Sequence, residues 1–537
     1  MKKQKIILIL IVILAFCLRF YKLNSYPALN ADEASIGYDA YSLIKTGRDQ
    51  HGNSWPLQFQ SFNDYKPGLY VYIVLPFVKF LSLNEWSIRI PSAFLGVATV
   101  YIIYLLIKEL FNDEKFALIG SFLLAISPWH LHFSRSGWEV NIATFFITLG
   151  LLFFFKAIKK QKFSSFFFSV LFFVLSMYTY HSARIVVPFL GIGLFYFYLK
   201  DLKKNLKLVS ISVIIFGLLI IPITNKDALS RAGGVSIFSD KGIISGINEQ
   251  RGEGANSTLT KILHNKVINY SLIFADNYSK HFWGEFLFLS GDVIQRNRVP
   301  ETGQLYLFEI ITLSVGIYFI IKKTNKEWGL IIFWLIISPA AAALTFQSPH
   351  ALRAHNMVIP LTIISSYGLM KILNLLKNLK IKNIFLLGNF LILIFISWCV
   401  ARYLHEYYIH MSKEYPYSSQ YGVKEMVSYL SQNQGSFQKI FVTDRYDQPY
   451  ILYLFYTKTD PSWFQKNHNL TAPDKFGFST VRDVASIHFE SIDFEKLKQN
   501  YPNSLIIGDT KEIPKEANII KKIYGANGFL YFEVVKN

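Results

Sequence analysis

The chain alternates apolar runs with short polar loops over most of its length. Apolar runs near 17–20 residues are long enough to cross a bilayer as helices. The sequence predicts about 11 such transmembrane helices. They lie at 6–20, 88–107, 115–133, 139–156, 163–179, 183–199, 206–223, 304–321, 328–346, 355–373 and 384–402. The pattern therefore predicts a mainly α membrane protein.

One further apolar segment, residues 67–83, fits this pattern less well. It is short and contains Pro67, Pro76 and Lys79. If this segment crossed the membrane, every later lysine-rich loop would fall outside, against the preference of Lys and Arg for the cytoplasmic side. We therefore expect it to lie in the interface or to re-enter. The N-terminus resembles a signal peptide, but no small-residue cleavage site follows, so we expect an uncleaved first span.

Composition and charge agree with a membrane location. Hydrophobic residues make up 52% of the 537 residues, and charged residues 17%. The net charge of +19 would suit a nucleic acid partner, but the lysines concentrate in short loops such as 156–162. This is the distribution of cytoplasmic loops, so no nucleic acid partner is expected. The two cysteines lie in apolar runs and indicate no disulfide framework.

The same charge rule places the N-terminus inside and the C-terminus outside. Residues 1–402 are then a membrane domain with an external juxtamembrane loop, 21–87, and a long external loop, 224–303. Residues 403–537 alternate predicted helices (GVKEMVSYLSQN, QPYILYLFYTK) with predicted strands (KIFVTD, NSLIIGD, GFLYFEVV). This alternation predicts a small external α/β domain. The expected location is the cytoplasmic membrane, with the active site outside.

Carboxylates stand just beyond the first span. Asp32 and Glu33 are adjacent there, and ionisable groups held against a membrane are usually functional. A helical pattern follows over 36–44, so the alternative is that Asp32 is an N-cap. The two roles are compatible, because a helix start fixes the geometry of a carboxylate. Glu139, at another external span end, is the second acidic candidate.

Basic and aromatic residues at external span ends are candidates for holding a lipid phosphate. Lys66 directly follows Asp64 and Tyr65, and an ammonium suits a phosphate as a point charge. The alternative is a lysine that extends to lipid headgroups. Arg135 stands four residues before Glu139, so the alternative there is a helix-surface ion pair.

A second group of candidates lies later in the chain. His350 and Arg353 are three residues apart, and Arg offers a fork of donors to a phosphate. Contact with lipid headgroups is the alternative. His181 and Arg184 repeat this spacing, and Asp292 lies in the long loop.

The order of these motifs resembles the GT-C membrane glycosyltransferases, in the branch of dolichyl-phosphate-mannose protein mannosyltransferases and aminoarabinose transferases. The resemblance covers about residues 1–400. It is carried by Asp32-Glu33, Tyr65-Lys66-Pro67-Gly68-Leu69-Tyr70, Arg89-Ile90-Pro91-Ser92, Ser134-Arg135 with Glu139, and Pro349-His350-Ala351-Leu352-Arg353.

The resemblance implies a GT-C-like helical bundle with short juxtamembrane helices in the first external loop. It also implies Asp32 beside the acceptor and Lys66 on the donor phosphate. Glu139 stands where relatives often carry Asp. Residues 403–537 lack the Trp-Trp-Asp motif of oligosaccharyltransferases, so transfer of a whole oligosaccharide is not expected.

The expected function is transfer of a single sugar from a polyprenyl-phosphate donor to a lipid, glycan or protein acceptor. The candidate catalytic residues are Asp32, Glu33 and Glu139, where a carboxylate can take the acceptor proton. The candidate phosphate ligands are Tyr65, Lys66, Arg135, His350 and Arg353. No cofactor is required, because phosphate is a good leaving group; a divalent metal is left open. The alternatives are an O-antigen polymerase- or ligase-like enzyme and a lipid-linked sugar transporter or flippase.

Overall fold

The computed structural model describes residues 2–224, 236–323, 325–379, 381–474 and 477–537. Residues 225–235 of the expected long loop lie outside the described residues. The chain forms two compact units. The first, which we call the helical unit, comprises Met1–Tyr21 and Ser92–Glu406, and the second, the mixed unit, comprises Lys22–Pro91 and Tyr407–Asn537. The first juxtamembrane loop therefore shares a unit with the C-terminal residues.

Helices make up most of the described chain. In the first half they are α1 Lys2–Phe20, α2 Ala31–Thr46, α3 Leu69–Leu81, α4 Glu85–Phe111, α5 Glu114–Ile126, α6 Pro128–Ser134, α7 Glu139–Lys160, α8 Phe163–Met177, α9 Ala183–Leu202 and α10 Leu206–Ile220. In the second half they are α11 Lys241–Glu253, α12 Thr258–Leu263, α13 Lys266–Lys280, α14 Phe308–Ile321, α15 Lys326–Ile337, α16 Ala340–Ala343, α17 Val358–Asn378, α18 Lys382–His405, α19 Met411–Glu414, α20 Pro416–Ser419, α21 Val423–Asn433, α22 Pro449–Thr457, α23 Pro461–Asn467 and α24 Phe494–Asn500. Each of the predicted apolar runs contains at least one of these helices.

Several of these helices can cross a membrane. By length and composition, six described stretches qualify, or seven if the pair α5 and α6, bent by 56°, is one span. The six are Glu85–Phe111, Glu139–Lys160, Ala183–Ile223, Lys326–Ala343, His355–Asn378 and Lys382–Glu414. The remaining predicted runs contain shorter helices, such as α8 and α14, or the lysine-bearing α1. The mainly α-helical membrane class is confirmed, while the number of crossings stays a prediction.

The segment predicted to lie in the interface is α3. It has 13 residues and contains Pro76. At 1.5 Å per residue such a helix is about 20 Å long, which is shorter than the roughly 30 Å hydrocarbon core of a bilayer. The helix is therefore too short to cross a bilayer alone, and its place in the interface stays a prediction.

Close helix packing in the helical unit depends on glycine. A Cβ added at Gly368 of α17 would lie 1.7 Å from the carbonyl oxygen of Thr312 on α14. A Cβ added at Gly316 would lie 2.4 Å from the carbonyl oxygen of Ile364. Small residues let membrane helices approach backbone to backbone, so these positions bring α14 and α17 together.

The mixed unit contains the strands. They are β1 Gln58–Ser61, β2 Asp64–Pro67, β3 Ile440–Val442, β4 Asp483–Val484, β5 Ile487–Phe489, β6 Leu505–Gly508, β7 Ile519–Tyr524 and β8 Leu530–Lys536. The last six form one sheet in the order β4-β5-β3-β6-β8-β7, in which β3 is parallel to both of its neighbours. Strands β3, β6 and β8 and helices α21 and α22 are the predicted ones, so the α/β fold of the C-terminal residues is confirmed. The predicted domain bounds, 403–537, stay a prediction.

Candidate functional site

The start of α2 is fixed by a reciprocal cap. Asn30 Oδ1 accepts the backbone N–H of Glu33 at 2.9 Å, and Glu33 Oε2 accepts the backbone N–H of Asn30 at 3.3 Å. This arrangement satisfies two helix-end donors at once. The alternative that Asp32 is the N-cap is therefore wrong, because Asn30 has that position. Asp32 instead lies in the first turn, where the helix dipole favours a carboxylate.

Glu33 is engaged in a buried ion pair. Arg89 Nε and Nη2 lie 2.7 Å from Glu33 Oε1 and Oε2, respectively. Arg89 Nη1 also donates to the carbonyl oxygens of Leu23 and Pro27, and its Nη2 to that of Ala28, over 2.7–3.1 Å. One guanidinium thus joins residues 23–28, the start of α2 and the start of α4. Both oxygens of Glu33 serve this contact, which suits positioning better than proton transfer.

Lys66 is carried by a tight hairpin. Strands β1 and β2 pair antiparallel with Phe59 opposite Lys66. The two turn residues, Phe62 and Asn63, both have positive φ, at 56° and 67°, as a type I′ turn requires. Asn tolerates this conformation, whereas Phe62 is held in it by tertiary contacts. Its carbonyl accepts the N–H of Ser479 at 3.0 Å. The hairpin is thereby fixed at its tip.

The structure brings Asp32 and Lys66 together. The Lys66 ammonium donates to Asp32 Oδ1, although the two residues are 34 positions apart. The Lys66 and Asp32 side chains are 13% and 20% exposed, respectively, so the pair is accessible from outside the protein. Lys66 Nζ also lies 5.7 Å from the centre of the Phe62 ring. Asp64 and Tyr65, on the same strand, are half-buried.

A buried polar network that sequence reasoning missed supports this pair. Gln50 donates its backbone N–H to Asp39 Oδ1 at 3.0 Å and its side-chain amide to Ser35 Oγ at 3.1 Å. Ser35 and Ser61 are hydrogen-bonded at 2.6 Å, which joins α2 to β1. Burial, with the nearby Asp49 carboxylate, raises the pKa of Asp39 well above its usual range. The spacing of the two acids could have indicated this network. Asp39 follows Asp32 by seven residues and so lies on the same face of α2.

C-terminal residues of the mixed unit hold the loop that follows α2. The side-chain amide of Gln465 donates to the carbonyl oxygen of Asp49 at 2.8 Å. His51 Nδ1 and His468 Nε2 lie 2.9 Å apart. Burial, together with the charge of His468, lowers the pKa of His51 to about 4. The His51 imidazole is therefore held in its neutral form at neutral pH.

In the helical unit, three predicted residues form a second cluster. Asp292 Oδ2 accepts the backbone N–H of Ala351 at 2.6 Å and lies 3.5 Å from His350 Nδ1. Burial raises the pKa of Asp292 to about 6, and the charge of Arg353 opposes that rise. Arg353 Nη1 donates to Thr345 Oγ1 at 2.6 Å. A segment of the long loop is thus joined to residues 345–353.

The other predicted residues have different surroundings. The Arg135 guanidinium is buried and donates to the carbonyl oxygens of Leu18, Arg19 and Tyr21 at 2.7–3.1 Å, so it caps the C-terminal end of α1. Arg184 Nε donates to the carbonyl of Met177, the last residue of α8, at 3.3 Å. Glu139 is buried and is the first residue of α7. His181 is half-buried, and its carbonyl accepts the N–H of Arg184.

Two buried histidines of the helical unit were not predicted. The His130 and His355 rings are stacked with centres 5.8 Å apart. Arg19 Nη2 and His130 Nδ1 are 2.8 Å apart, and Thr144 Oγ1 lies 3.0 Å from His355 Nδ1. Within the described residues, neither Nε2 has a hydrogen-bond partner. Both histidines belong to predicted apolar runs, which concealed this polar interior.

Known proteins share both local sequence and fold with this chain. Residues 65–224 match the family described as dolichyl-phosphate-mannose-protein mannosyltransferase. The putative mannosyltransferase YkcB of Bacillus subtilis is 36% identical over 81 residues, which are 15% of this chain and 11% of that protein. The chain spans at most 40% of the length of the curated relatives it matches.

Two solved structures have the same fold. ArnT from Cupriavidus metallidurans, solved with bound undecaprenyl phosphate, has a TM-score of 0.52 at 10% identity and covers 98% of this chain and 97% of its own. The Archaeoglobus fulgidus oligosaccharyltransferase, solved with Zn and sulfate, has a TM-score of 0.52 at 14% identity, over 84% of this chain and 61% of its own. The protein is therefore a membrane protein of the GT-C fold. The resemblance stated from the sequence is confirmed at the level of the fold, and residues 65–224 match the mannosyltransferase family model.

Proposed function

We propose that this protein is a membrane glycosyltransferase that moves a single sugar from a polyprenyl-phosphate donor to an acceptor hydroxyl. The observation that carries the proposal is the accessible ion pair of Asp32 and Lys66. It places a carboxylate that can accept a proton beside an ammonium cation. ArnT, which shares the fold, was solved with undecaprenyl phosphate bound. The acceptor is a lipid, glycan or protein at the external face of the cytoplasmic membrane, a side inferred from the lysine distribution.

Each of the two residues has one task in the proposed reaction. The acceptor oxygen attacks the anomeric carbon while the bond from that carbon to the phosphate oxygen breaks. The bonding electron pair leaves with the phosphate, whose added charge is stabilised by the Lys66 ammonium. The Asp32 carboxylate takes the proton of the acceptor hydroxyl. Tyr65, which precedes Lys66 on β2, is a further proposed ligand of the phosphate.

The ion pair also predicts an order of binding. An ammonium bonded to Asp32 is drawn away when a phosphate, which carries more negative charge, approaches Lys66. The Asp32 carboxylate then loses its partner at the time when an acceptor proton must be removed. Donor binding would thus prepare the base, and we propose that the donor binds before the acceptor.

The contacts of the remaining candidate residues suggest different roles for them. Glu33 and Arg135 are assigned positioning roles, because Glu33 binds Arg89 and Arg135 caps α1. His350 and Arg353 remain proposed phosphate ligands, since the buried His350 imidazole lies 3.5 Å from Asp292 and the charge of Arg353 acts on the same carboxylate. Glu139 remains the proposed second acid.

Sugar transfer by purified protein is the experiment. The protein in liposomes receives synthetic polyprenyl-phosphate mannose, the donor type named by the matching family description, in parallel with other polyprenyl-phosphate sugars. Released polyprenyl phosphate is measured. Release with the native protein, and its loss in Asp32→Asn but not in the surface variant Glu516→Gln, would support the proposal. Equal release by Asp32→Asn and the native protein would overturn it.

A further inference from the structure

The long loop of the helical unit carries apolar side chains on its surface. Helices α12 and α13 have few buried residues. Several of their large apolar side chains are exposed. Leu259, Ile262, Leu263, Val267 and Leu272 are 65%, 60%, 51%, 75% and 63% exposed. Large apolar side chains exposed together on neighbouring helices often mark a binding surface for a membrane or another molecule.

Hydrogen bonds fix α13 at the end of a membrane span. The side-chain amide of Asn277 donates to the carbonyl oxygens of Ala343 and Thr345 at 3.3 and 3.1 Å. The Tyr278 hydroxyl donates to the carbonyl of Ile336 at 2.7 Å. Ala343 is the last residue of the candidate span Lys326–Ala343. Helix α13 is therefore joined to the end of this candidate span, the depth at which a span would meet the lipid headgroups.

A groove runs beside α13 at this depth. Its volume is about 490 Å³, and its lining includes Phe238, Val267, Tyr270, Phe274 and Leu344. Leu344 directly follows the span. The lining is apolar except for Lys266 and Ser271. Its place at the end of a span suits the chain of a membrane lipid.

The charge of the segment complements an anionic headgroup. Lys261 and Lys266 are exposed, and residues 254–275 contain no Asp or Glu. Basic residues at the bilayer surface attract anionic lipids, and amphipathic helices that combine lysine with Leu and Phe lie in the interface plane. We propose that α12 and α13 form a binding surface for an anionic phospholipid of the bilayer, with a lipid chain in the groove and the phosphate beside Lys261 and Lys266.

Site-specific fluorescence in nanodiscs tests this inference. In a Cys17→Ser, Cys399→Ala background, Leu263→Cys carries an environment-sensitive fluorophore, and Glu249→Cys on α11 is the polar control. The nanodiscs contain phosphatidylcholine with either doxyl-labelled phosphatidylglycerol or doxyl-labelled phosphatidylcholine at equal mole fraction. We expect blue-shifted emission at position 263, quenched more strongly by the labelled phosphatidylglycerol. The probe at position 249 should stay water-like and unquenched.

The two lysines provide the decisive comparison. The double variant Lys261→Gln, Lys266→Gln should lose its preference for the labelled anionic lipid. We expect a fall of about fivefold for each lysine removed, because one basic residue near an anionic surface contributes about that factor in affinity. Emission at position 263 that is water-like and unquenched would overturn the proposal. Equal quenching by both lipids would also overturn it, because no anionic lipid is then recognised. Disulfide-linked dimers of the unlabelled Leu263→Cys protein would overturn the proposal and assign the surface to a second copy of the chain instead.

Discussion

The Arg89 guanidinium and the Glu33 carboxylate form a two-point ion pair in which both side chains are completely buried. Glu33 directly follows Asp32, so the position of Asp32 depends on this pair. Arg89 also binds three carbonyl oxygens of residues 23–28. The half-buried Asp32, proposed as the base, is thus set on a rigid support, which is what a precisely placed catalytic group requires.

Removal of Arg89 should destabilise the mixed unit. Breaking a buried pair leaves an uncompensated charge and costs about 3–5 kcal/mol. We expect Arg89→Gln to lower the midpoint of thermal unfolding strongly, and Arg482→Gln, an exposed arginine of the same unit, to leave it unchanged. The double variant Glu33→Gln, Arg89→Gln should recover part of the loss. A normal midpoint for Arg89→Gln would show that the pair contributes little.

Asp32→Asn should separate binding from turnover. Loss of a catalytic base slows a reaction by roughly 100-fold or more. Because the same change removes the carboxylate that binds Lys66, polyprenyl phosphate should bind at least as tightly as to the native protein. Turnover and the binding of polyprenyl phosphate are measured on the same preparation. If turnover stays near the native rate, Asp32 is not the base.

The membrane class and the α/β fold of the C-terminal residues were predictable from the sequence. Apolar run length indicates the spans, and alternating helix and strand patterns indicate the α/β fold. The family resemblance assigned Asp32 and Lys66 to one reaction, but their ion pair was not predicted. The partner of Glu33 was not predictable, because Arg89 is 56 positions away and sits at the start of an apolar run. Residue types in sequence order do not show which carboxylate becomes buried and which stays accessible.

Other tertiary contacts were also not predictable from the sequence. Arg135 was predicted as a phosphate ligand at a span end, and its hydrogen bonds to the last carbonyls of α1 were not foreseen. Asp39 looked unremarkable in sequence, and its buried network forms only when the loop at 49–53 folds back on α2. Strand β7 was missed because its outward side chains include two consecutive lysines, Lys521 and Lys522.

The mixed unit should lose stability in acid because of His51. Burial lowers the pKa of His51 to about 4, whereas an unfolded histidine titrates near 6.5. Neutral His51 therefore contributes its full stabilisation above pH 6.5. This stabilisation is lost as the pH falls through 4, because the unfolded chain binds the proton at a higher pH than the folded chain does. We expect His51→Gln to weaken this acid destabilisation by about 1–2 kcal/mol. Thermal unfolding followed from pH 7.5 to 4 measures it, and an unchanged pH dependence would contradict the assignment.

Labelling of intact cells should reveal the predicted topology. Cysteines introduced at position 79 and within 21–66 should react with an impermeant reagent applied outside. A cysteine within 156–162 should react only after the membrane is opened, because that lysine-rich loop is predicted to be cytoplasmic. The native Cys17 and Cys399 are replaced first. External labelling at position 160 would contradict the proposed sidedness of the active site.

Donor binding should depend on Lys66 and Arg353. Each is a proposed phosphate ligand in its own unit, and charge-assisted hydrogen bonds are stronger than neutral ones. We expect Lys66→Ala and Arg353→Ala each to weaken binding of a polyprenyl-phosphate analogue by roughly 1–3 kcal/mol. Lys160→Ala, in a loop predicted to lie on the opposite face, and Lys79→Ala, an exposed lysine of α3, are the matched controls and should bind normally. Asp32→Asn is a further control, because it removes the ion pair with Lys66 but keeps the ammonium, and it should bind the analogue at least as tightly as the native protein. Native affinity in both Lys66→Ala and Arg353→Ala would mean that the phosphate site lies elsewhere.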